Sequence, residues 1–159
     1  MEHTDREGFA AAVTAHGRAM FRAARAVLDG DADAEEAVGE AVLRAWERWG
    51  TLRDPEAVRP WLLKITVNCA HGLRRKNGRV TSMADMAQVA GTVEPPPVSG
   101  LWEAVCRLPR DSRAVVTLYY YEDMTVAEIA RVLGVAQGTV KSRLSRARSR
   151  LKEMLREEG

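Results

Sequence analysis

One stretch of the chain combines a narrow apolar stripe with a dense basic face: GTVKSRLSRAR, residues 138–148. Four apolar residues in and just after it recur at the spacing of one helix side: Val140, Leu144, Ala147 and Leu151. The other sides carry only basic charge before position 153, from Lys141, Arg143, Arg146, Arg148, Arg150 and Lys152. Solvated helix faces normally mix charge signs, so a face of one sign predicts binding to a polyanion.

A second helix is predicted directly before this one. Thr125 and Glu128 have the spacing of a capping box, in which each side chain accepts a hydrogen bond from a backbone amide at a helix start. Gly134 supplies the left-handed conformation that ends a helix. Two helices joined by a short glycine turn are typical of a helix-turn-helix, whose second helix enters the DNA major groove. The alternative is an ordinary helical hairpin within a bundle, which the basic face disfavours.

The composition is that of a soluble globular protein. Of 159 residues, 46% are hydrophobic and 29% charged, enough for one ordinary domain or two small ones. No export signal and no apolar run of membrane length is visible, so we expect a cytoplasmic protein with no membrane insertion. Cys69 and Cys106 are isolated and lack the spacing of metal ligands, which predicts two buried thiols and no metal site or cofactor.

Charge is segregated along the chain, although the net charge is only +2. Residues 29–40 contain six acidic residues and no basic one, while residues 74–79 and the C-terminal helix are basic. An acidic patch beside two basic ones indicates one protein partner and one nucleic-acid partner.

Helical periodicity continues through the rest of the chain and no stretch alternates as a strand would, so we predict an all-α fold. The first helix is expected over residues 8–28. The second ends at Gly50, and its inward face is predicted to consist of Val38, Ala41, Val42, Ala45, Trp46 and Trp49. Pro60 predicts a kink or a new start before the third helix. The inward stripe of that helix is Leu62, Ile65, Cys69 and Leu73.

Residues 81–99 interrupt the periodicity and contain the helix-incompatible triplet Pro95-Pro96-Pro97, which predicts a flexible linker. A short helix, a longer one from Pro109 through Tyr121, and the helix-turn-helix follow. The chain is therefore predicted to hold two small helical domains, at residues 8–80 and 100–157.

Two sets of residues occur in the order found in a known family. The C-terminal set is Leu108-Pro109, Arg113, Leu118, Glu128-Ile129-Ala130, Leu133-Gly134-Val135 and residues 138–148. The N-terminal set is residues 33–46 with Trp61-Leu62, Ile65, Asn68 and Arg74-Arg75-Lys76. They resemble domains four and two of the extracytoplasmic-function sigma factors of bacterial RNA polymerase, over residues 9 to 155. The resemblance implies a factor that binds core RNA polymerase, recognises two elements of promoter DNA and opens the duplex.

For domain two, the resemblance assigns core-polymerase binding to Glu35, Glu36, Glu40, Arg44 and Trp46. The alternative is that Trp46 belongs to the core and the acids are solvated. Melting of the minus-ten element is assigned by the same resemblance to Trp61, Asn68, Arg74, Arg75, Lys76 and Arg79. Extruded bases lose their stacking, which the protein must replace with pockets and aromatic faces. A core role is favoured for the Trp61 ring, whereas Asn68 is poorly suited to a helix and is expected to bond another group.

For domain four, the resemblance implies that the basic helix reads the minus-thirty-five element, through Gln137, Thr139, Lys141, Ser142, Arg143 and Arg146. Arginine and lysine can donate to guanine O6 and N7. Three later residues, Arg148, Arg150 and Lys152, are expected to touch the DNA backbone or solvent. The sequence does not separate base contacts from phosphate contacts.

Three residues depart from the family pattern: Gly39, Gly72 and Ala136 stand where a glutamine, an acidic residue and a capping serine are usual. Gly39 costs about 1 kcal/mol of helix propensity relative to alanine. The absent cap at Ala136 costs roughly 1 kcal/mol. These departures leave the promoter preference open.

Three other functions fit parts of the sequence. A response-regulator activator also carries Glu-Ile-Ala and Thr-Val-Lys, but it typically has histidine at position 143 and a phosphoacceptor domain. A carboxylate-bridged metal oxidase needs a Glu-x-x-His motif that is absent, so no enzyme and no small-molecule substrate are expected. An adaptor that binds polymerase alone would not need the basic helix. Many family members are held by an anti-sigma factor and others are not, which leaves this partner open.

Overall fold

The structure is a computed structural model that describes residues 2–79 and 100–158. Within these ranges the chain is mainly helical and contains no strand. The helices are α1 Glu2–Val27, α2 Asp31–Glu47, α3 Val58–Arg79, α4 Gly100–Cys106, α5 Arg110–Val116, α6 Val126–Leu133 and α7 Gln137–Glu158. The predicted linker at 81–99 falls outside the described residues. The all-α fold with two helical domains is confirmed, and none of the described helices is long and apolar enough to cross a membrane.

The helices α1, α2 and α3 pack pairwise on one another and form the N-terminal domain. The buried stripe of α2 consists of alanines: Ala34, Ala37, Ala41 and Ala45. Val38 and Val42 are only half-buried and Trp46 is exposed, so the predicted inward face of α2 was wrong in part. Small side chains let α1 and α3 approach α2 closely, and the larger residues are left at the edges. The predicted stripe of α3 is buried as expected.

Pro60 neither kinks α3 nor starts it. A 3₁₀ turn at Pro55–Ala57 leads directly into α3, and the Asp54 carboxylate caps this turn by accepting from the amide of Glu56 at 3.0 Å. Pro60 occupies the first turn of α3, where a backbone amide has no helical acceptor, so the missing N–H leaves no helical hydrogen bond unmade.

The helices α4 to α7 form the C-terminal domain, in which α7 packs on α4, α5 and α6. After Pro109, α5 continues through a π-helical turn at Thr117–Tyr121. Thr125 and Glu128 make both hydrogen bonds of the capping box, at 2.8 and 3.1 Å. Gly134 ends α6 with φ 71°, the left-handed conformation. The predicted helix-turn-helix is confirmed.

The two domains pack directly on each other. The helix α1 contacts α5 and the π-helical turn, and α3 contacts α6. Hydrophobic residues from both domains belong to one continuous core. Two charged residues of the C-terminal domain are also buried, Arg113 at 4% and Glu122 at 0% exposure. A buried charge must be paired, so these two residues mark polar contacts inside the fold.

Candidate nucleic-acid and polymerase interfaces

The candidate DNA-reading surface of the C-terminal domain is built on α7. Val140, Leu144 and Ala147 are buried and Leu151 is half-buried, which confirms the predicted apolar stripe. Because this stripe seats α7 on the rest of the domain, the rotation of the helix is fixed and its opposite side faces solvent.

Most of the residues predicted to read the upstream element lie on the solvent side of α7. Gln137, Lys141, Ser142 and Arg146 are exposed, and Thr139 is half-buried. Lys141 and Arg146 make no hydrogen bond or ion pair with any described residue. Their charged groups are therefore available to a ligand.

Arg143 lies at the border of this surface. Its side chain is 21% exposed, and its guanidinium lies 3.8 Å from the carboxylate of Asp111 on α5. The guanidinium therefore sits between α5 and solvent, while Lys141 and Arg146 project outward.

The basic end of α3 is the second candidate nucleic-acid surface. Asn68, Arg75 and Lys76 are exposed and Arg74 is half-buried. Arg79 ends the helix, and its side chain lies beyond the part of the chain that the structure describes. The exposed amide and cations follow one another along the C-terminal two-thirds of α3, as an extended strand of nucleic acid would require.

His71 lies within this basic surface and is half-buried. Burial lowers the pKa of His71 below its ordinary value, and the adjacent charges of Arg74 and Arg75 lower the pKa further. The imidazole is therefore neutral near pH 7, and the positive charge of this surface comes from its arginines and lysine.

Trp61 lies near the start of α3 and is neither a core residue nor fully exposed. On one side its ring centroid is 6.0 Å from that of Trp49. On the other side it borders a cleft that α6 closes with Glu128, Arg131 and Val132. The ring thus stands at the contact between the two domains.

The candidate polymerase surface lies on α2, opposite its alanine stripe. Glu36, Glu40 and Arg44 are exposed, and Glu40 pairs with Arg44 at 3.2 Å. Trp46 is 44% exposed and its ring lies 5.2 Å from that of Phe9, so the interpretation of Trp46 as a core residue does not fit. Glu35, the remaining member of the predicted set, is half-buried.

Several residues of these surfaces were absent from the predicted site set. Leu43 is 67% exposed beside the acids of α2, and the apolar residues around it in the sequence gave no indication of that exposure. Tyr120 contacts the basic helix through Arg148. Arg22 and Arg59, which pair with the carboxylate of Glu122, were also absent from the set. Nothing in the sequence indicated this contact, because charged residues are mostly exposed in proteins.

No group of three or more histidine, cysteine, aspartate or glutamate residues that could hold a metal ion occurs among the described residues. Both cysteines are free thiols. Cys69 is buried as predicted, but Cys106 is only half-buried, because it ends the short helix α4 at the edge of the core.

Comparison with known proteins places both domains in one family. The sequence-family model of Sigma-70 region 2 matches residues 12–80, and the family model of Sigma-70 region 4 matches residues 100–151. The chain is similar to the sigma factor SigM of Mycobacterium tuberculosis, with 38% identity over 95% of this chain and 79% of SigM. It is also similar to SigL of the same organism, with 35% identity over 91% of this chain and 86% of SigL.

A solved structure shows the same fold. RpoE of Bartonella quintana, crystallised with the anti-sigma factor NepR, superposes with a TM-score of 0.75 and 25% identity, covering 98% of both chains. The two region models and the relatives, which match most of this chain, agree on one family, whose members are non-enzymatic initiation factors that bind core RNA polymerase and promoter DNA. The chain belongs to the extracytoplasmic-function sigma factors of bacterial RNA polymerase.

Proposed function

We propose that the two domains of this sigma factor divide promoter recognition between them. The domain at residues 8–80 binds core polymerase and recognises and melts the minus-ten element. The domain at residues 100–157 reads the minus-thirty-five element. The observation that carries this proposal is the face of α7, where cations that pair with no described residue stand opposite a buried apolar stripe on the second helix of a helix-turn-helix.

On α7, the exposed residues of the N-terminal half are suited to read bases. Lys141 and Arg146 can donate to guanine O6 and N7 in the major groove, and Gln137 and Ser142 can reach neighbouring bases or phosphates. Arg143, at the border beside Asp111, is suited to a phosphate.

On α3, the exposed residues are suited to hold a melted strand. Melted bases lose their stacking, which a protein replaces with polar contacts, aromatic faces and cations along the backbone. Asn68 offers an amide for a base edge, and Arg75 and Lys76 offer charge for phosphates. Trp61 offers an aromatic face once α6 has moved away from the cleft beside it.

On α2, an apolar centre with an acidic border is suited to a protein partner. Leu43 and Trp46 expose large hydrophobic side chains, and Glu36 and Glu40 lie on the same helix. Protein interfaces combine a hydrophobic centre with a polar rim, and the rim charges govern the rate of association. The acidic rim implies a basic docking surface on core polymerase.

Run-off transcription with purified core polymerase and a genomic promoter library tests the proposal. We expect specific transcripts only when this chain is present, and the selected promoters should share an upstream and a downstream element. Initiation that is independent of the chain, or selected promoters with only one shared element, would contradict the division of work between the domains.

A charge reversal tests the α2 surface by itself. Glu36→Lys should weaken binding to core polymerase, because an exposed acid at a protein interface is replaced by the opposite charge. Glu103→Lys makes the same charge change on an exposed residue of α4 and should leave binding unaltered. Equal affinities of the two variants in a titration with core polymerase would remove Glu36 from the interface.

We also propose that this factor works in the cytoplasm, with the polymerase, and that an anti-sigma factor regulates it. Support for the second partner comes from RpoE of Bartonella quintana, which shares this fold and was crystallised with NepR. A protein that co-purifies with the chain and blocks run-off transcription when it is added back would establish the regulator. If no co-purifying protein blocks transcription, regulation by an anti-sigma factor is contradicted.

A further inference from the structure

Glu122 joins the two domains through ion pairs with Arg22 and Arg59. Its carboxylate is fully buried, in the turn that follows the π-helical segment. Oε2 accepts from Nε of Arg22 on α1 at 2.5 Å, and Oε1 accepts from Nη2 of Arg22 at 2.9 Å. Arg59 of α3 donates to Oε1 at 2.8 Å and, through its second Nη, to the carbonyl of Glu122. One acid of the C-terminal domain is thus held by two cations of the N-terminal domain.

The Glu122 side chain contributes to docking rather than to the folding of its own domain. Within the described residues, its carboxylate is hydrogen-bonded only to Arg22 and Arg59. A buried carboxylate without partners is strongly unfavourable, so docking with both arginines and separation into water are the two favourable arrangements.

A second contact joins the domains with the charges reversed. Arg113 of α5 is buried and donates to the carbonyls of Ala26 and Leu28, at 2.9 and 3.2 Å, at the C-terminal end of α1. It also donates to the carboxylate of Asp29 at 3.1 Å. A cation at a helix C-terminus is favourable, because it satisfies carbonyls that have no helical donor. Both contacts lie at the C-terminal part of α1, where Arg22 and the carbonyls of Ala26 and Leu28 are about one to two turns apart.

The docked C-terminal domain covers part of α3. Lys64 donates to the carbonyl of Arg131 on α6 at 2.9 Å. Trp61 faces the cleft whose far wall includes Glu128 and Val132 of α6. A melted strand that stacks on Trp61 and runs along α3 would need the volume that α6 occupies here.

In the docked arrangement the two domains are also too close together to contact both promoter elements at once. Elements named for positions minus ten and minus thirty-five are roughly 25 base pairs apart, about 85 Å of duplex at about 3.4 Å per base pair. A compact chain of 159 residues has a radius of gyration of about 15 Å. Domains in direct contact cannot reach two sites separated by several times that radius.

We infer that Glu122, Arg22 and Arg59 form a latch that keeps the free chain closed and withholds α3 from the promoter strand until the domains separate. The inference rests on the proposed function of α3 and deepens it. Binding to core polymerase and promoter must break the latch. The apparent affinity of the free chain for a melted strand is therefore the affinity of the open form multiplied by the fraction of molecules that are open.

Small-angle X-ray scattering of the free full-length chain tests the closed state directly. The wild-type radius of gyration should be near that of a compact chain, about 15 Å. Glu122→Lys places a third cation beside Arg22 and Arg59 and should increase the radius by several ångströms. Glu103→Lys, the same charge change at an exposed position, should not. Helical content by circular dichroism should be equal in all three proteins.

A substitution in the N-terminal domain tests the same contact from its other side, so that the scattering result does not depend on Glu122→Lys alone. Arg59→Glu should also open the chain, and Arg59→Glu combined with Glu122→Lys should return the radius towards the wild-type value, because opposite charges again face each other. An expanded wild-type chain, or Glu122→Lys and Arg59→Glu chains that both stay compact, would overturn the latch.

The affinity for a labelled single strand that carries the minus-ten sequence tests the occlusion of α3. Glu122→Lys should bind this strand about tenfold more tightly than Glu103→Lys, which corresponds to a free chain that is open about one tenth of the time. An expanded Glu122→Lys chain with unchanged affinity would overturn the occlusion. If no protein in the set binds the strand and none initiates with core polymerase, the proposed function fails, while the scattering result still decides whether the latch exists.

Discussion

Nε of Arg148 on α7 donates to the hydroxyl of Tyr120 at 2.6 Å. The guanidinium also lies over two aromatic rings, 5.9 Å from the centroid of Tyr119 and 5.6 Å from that of Tyr120. The two rings meet edge to face at 4.9 Å. This basic residue of α7 is therefore bound to the π-helical turn of its own domain, unlike the other cations of the exposed face.

Arg148→Ala should lower the free energy of unfolding by about 1 kcal/mol, since a partly exposed cation–π contact and one hydrogen bond are lost. Arg150→Ala is the matched control, because Arg150 is exposed on the same helix and makes no described ion pair or hydrogen bond. Urea denaturation measures both. Equal midpoints for the two variants would show that the contact with Tyr119 and Tyr120 does not stabilise the domain.

The helix-turn-helix could be predicted because each of its features is local. The capping box joins residues three apart, Gly134 ends a helix through its own backbone, and the stripe of α7 repeats with the helical period. Such signals are complete within about 25 residues of sequence and do not depend on what packs against them.

The contact between the domains could not be predicted, because its partners are far apart in sequence. Glu122 pairs with Arg22, 100 residues away, and Arg113 bonds the carbonyl of Ala26, 87 residues away. Nothing local distinguishes these charged residues from solvated ones. The prediction for the inward face of α2 was wrong in part for a related reason. Periodicity alone favours large apolar residues such as valine and tryptophan as the buried ones, whereas the close packing of α1 and α3 buries the alanines, such as Ala41.

Two glycine substitutions should change stability in opposite directions. Gly39 lies in α2, and a Cβ added there meets no atom within 4 Å, so Gly39→Ala should stabilise the chain by about 1 kcal/mol through helix propensity. Gly134 has φ 71°, so Gly134→Ala should destabilise the chain by about 1 to 2 kcal/mol. Thermal denaturation measures both changes. Destabilisation by Gly39→Ala would reveal a requirement of α2 for glycine that the structure does not show.

Stability should fall as the pH decreases through the range of histidine titration. Burial, followed by the charges of Arg74 and Arg75, lowers the pKa of His71, and burial, followed by Arg59, lowers that of His16. Because the ordinary pKa is near 6.5, the unfolded chain takes up protons at a higher pH than the folded chain. Acidification therefore favours unfolding.

The denaturation midpoint should be lower at about pH 5.5 than at about pH 7.5, and His71→Asn should reduce the difference. Asp29 does not interfere in this range. Burial acts to raise its pKa, but hydrogen bonds from Arg110 and Arg113 outweigh that effect and hold the pKa below its ordinary value. Asp29 therefore weakens the fold only below about pH 4. A midpoint that is independent of pH between the two values would contradict the buried, neutral state of His71.

Promoter preference should depend on where along α7 a cation lies. Lys141 and Arg146 are exposed in the N-terminal half of the helix. Alanine at either position should weaken binding to the preferred promoter by about 1 to 3 kcal/mol and relax the preference at one or two base pairs. Arg150 and Lys152 lie farther along, so alanine there should cause a smaller loss, similar for all sequences, and a shallower salt dependence. Binding of holoenzyme to promoters with single base changes, measured at two salt concentrations, separates the two patterns. If all four variants lose the same affinity on every promoter, α7 is a general phosphate clamp and promoter choice must come from the N-terminal domain.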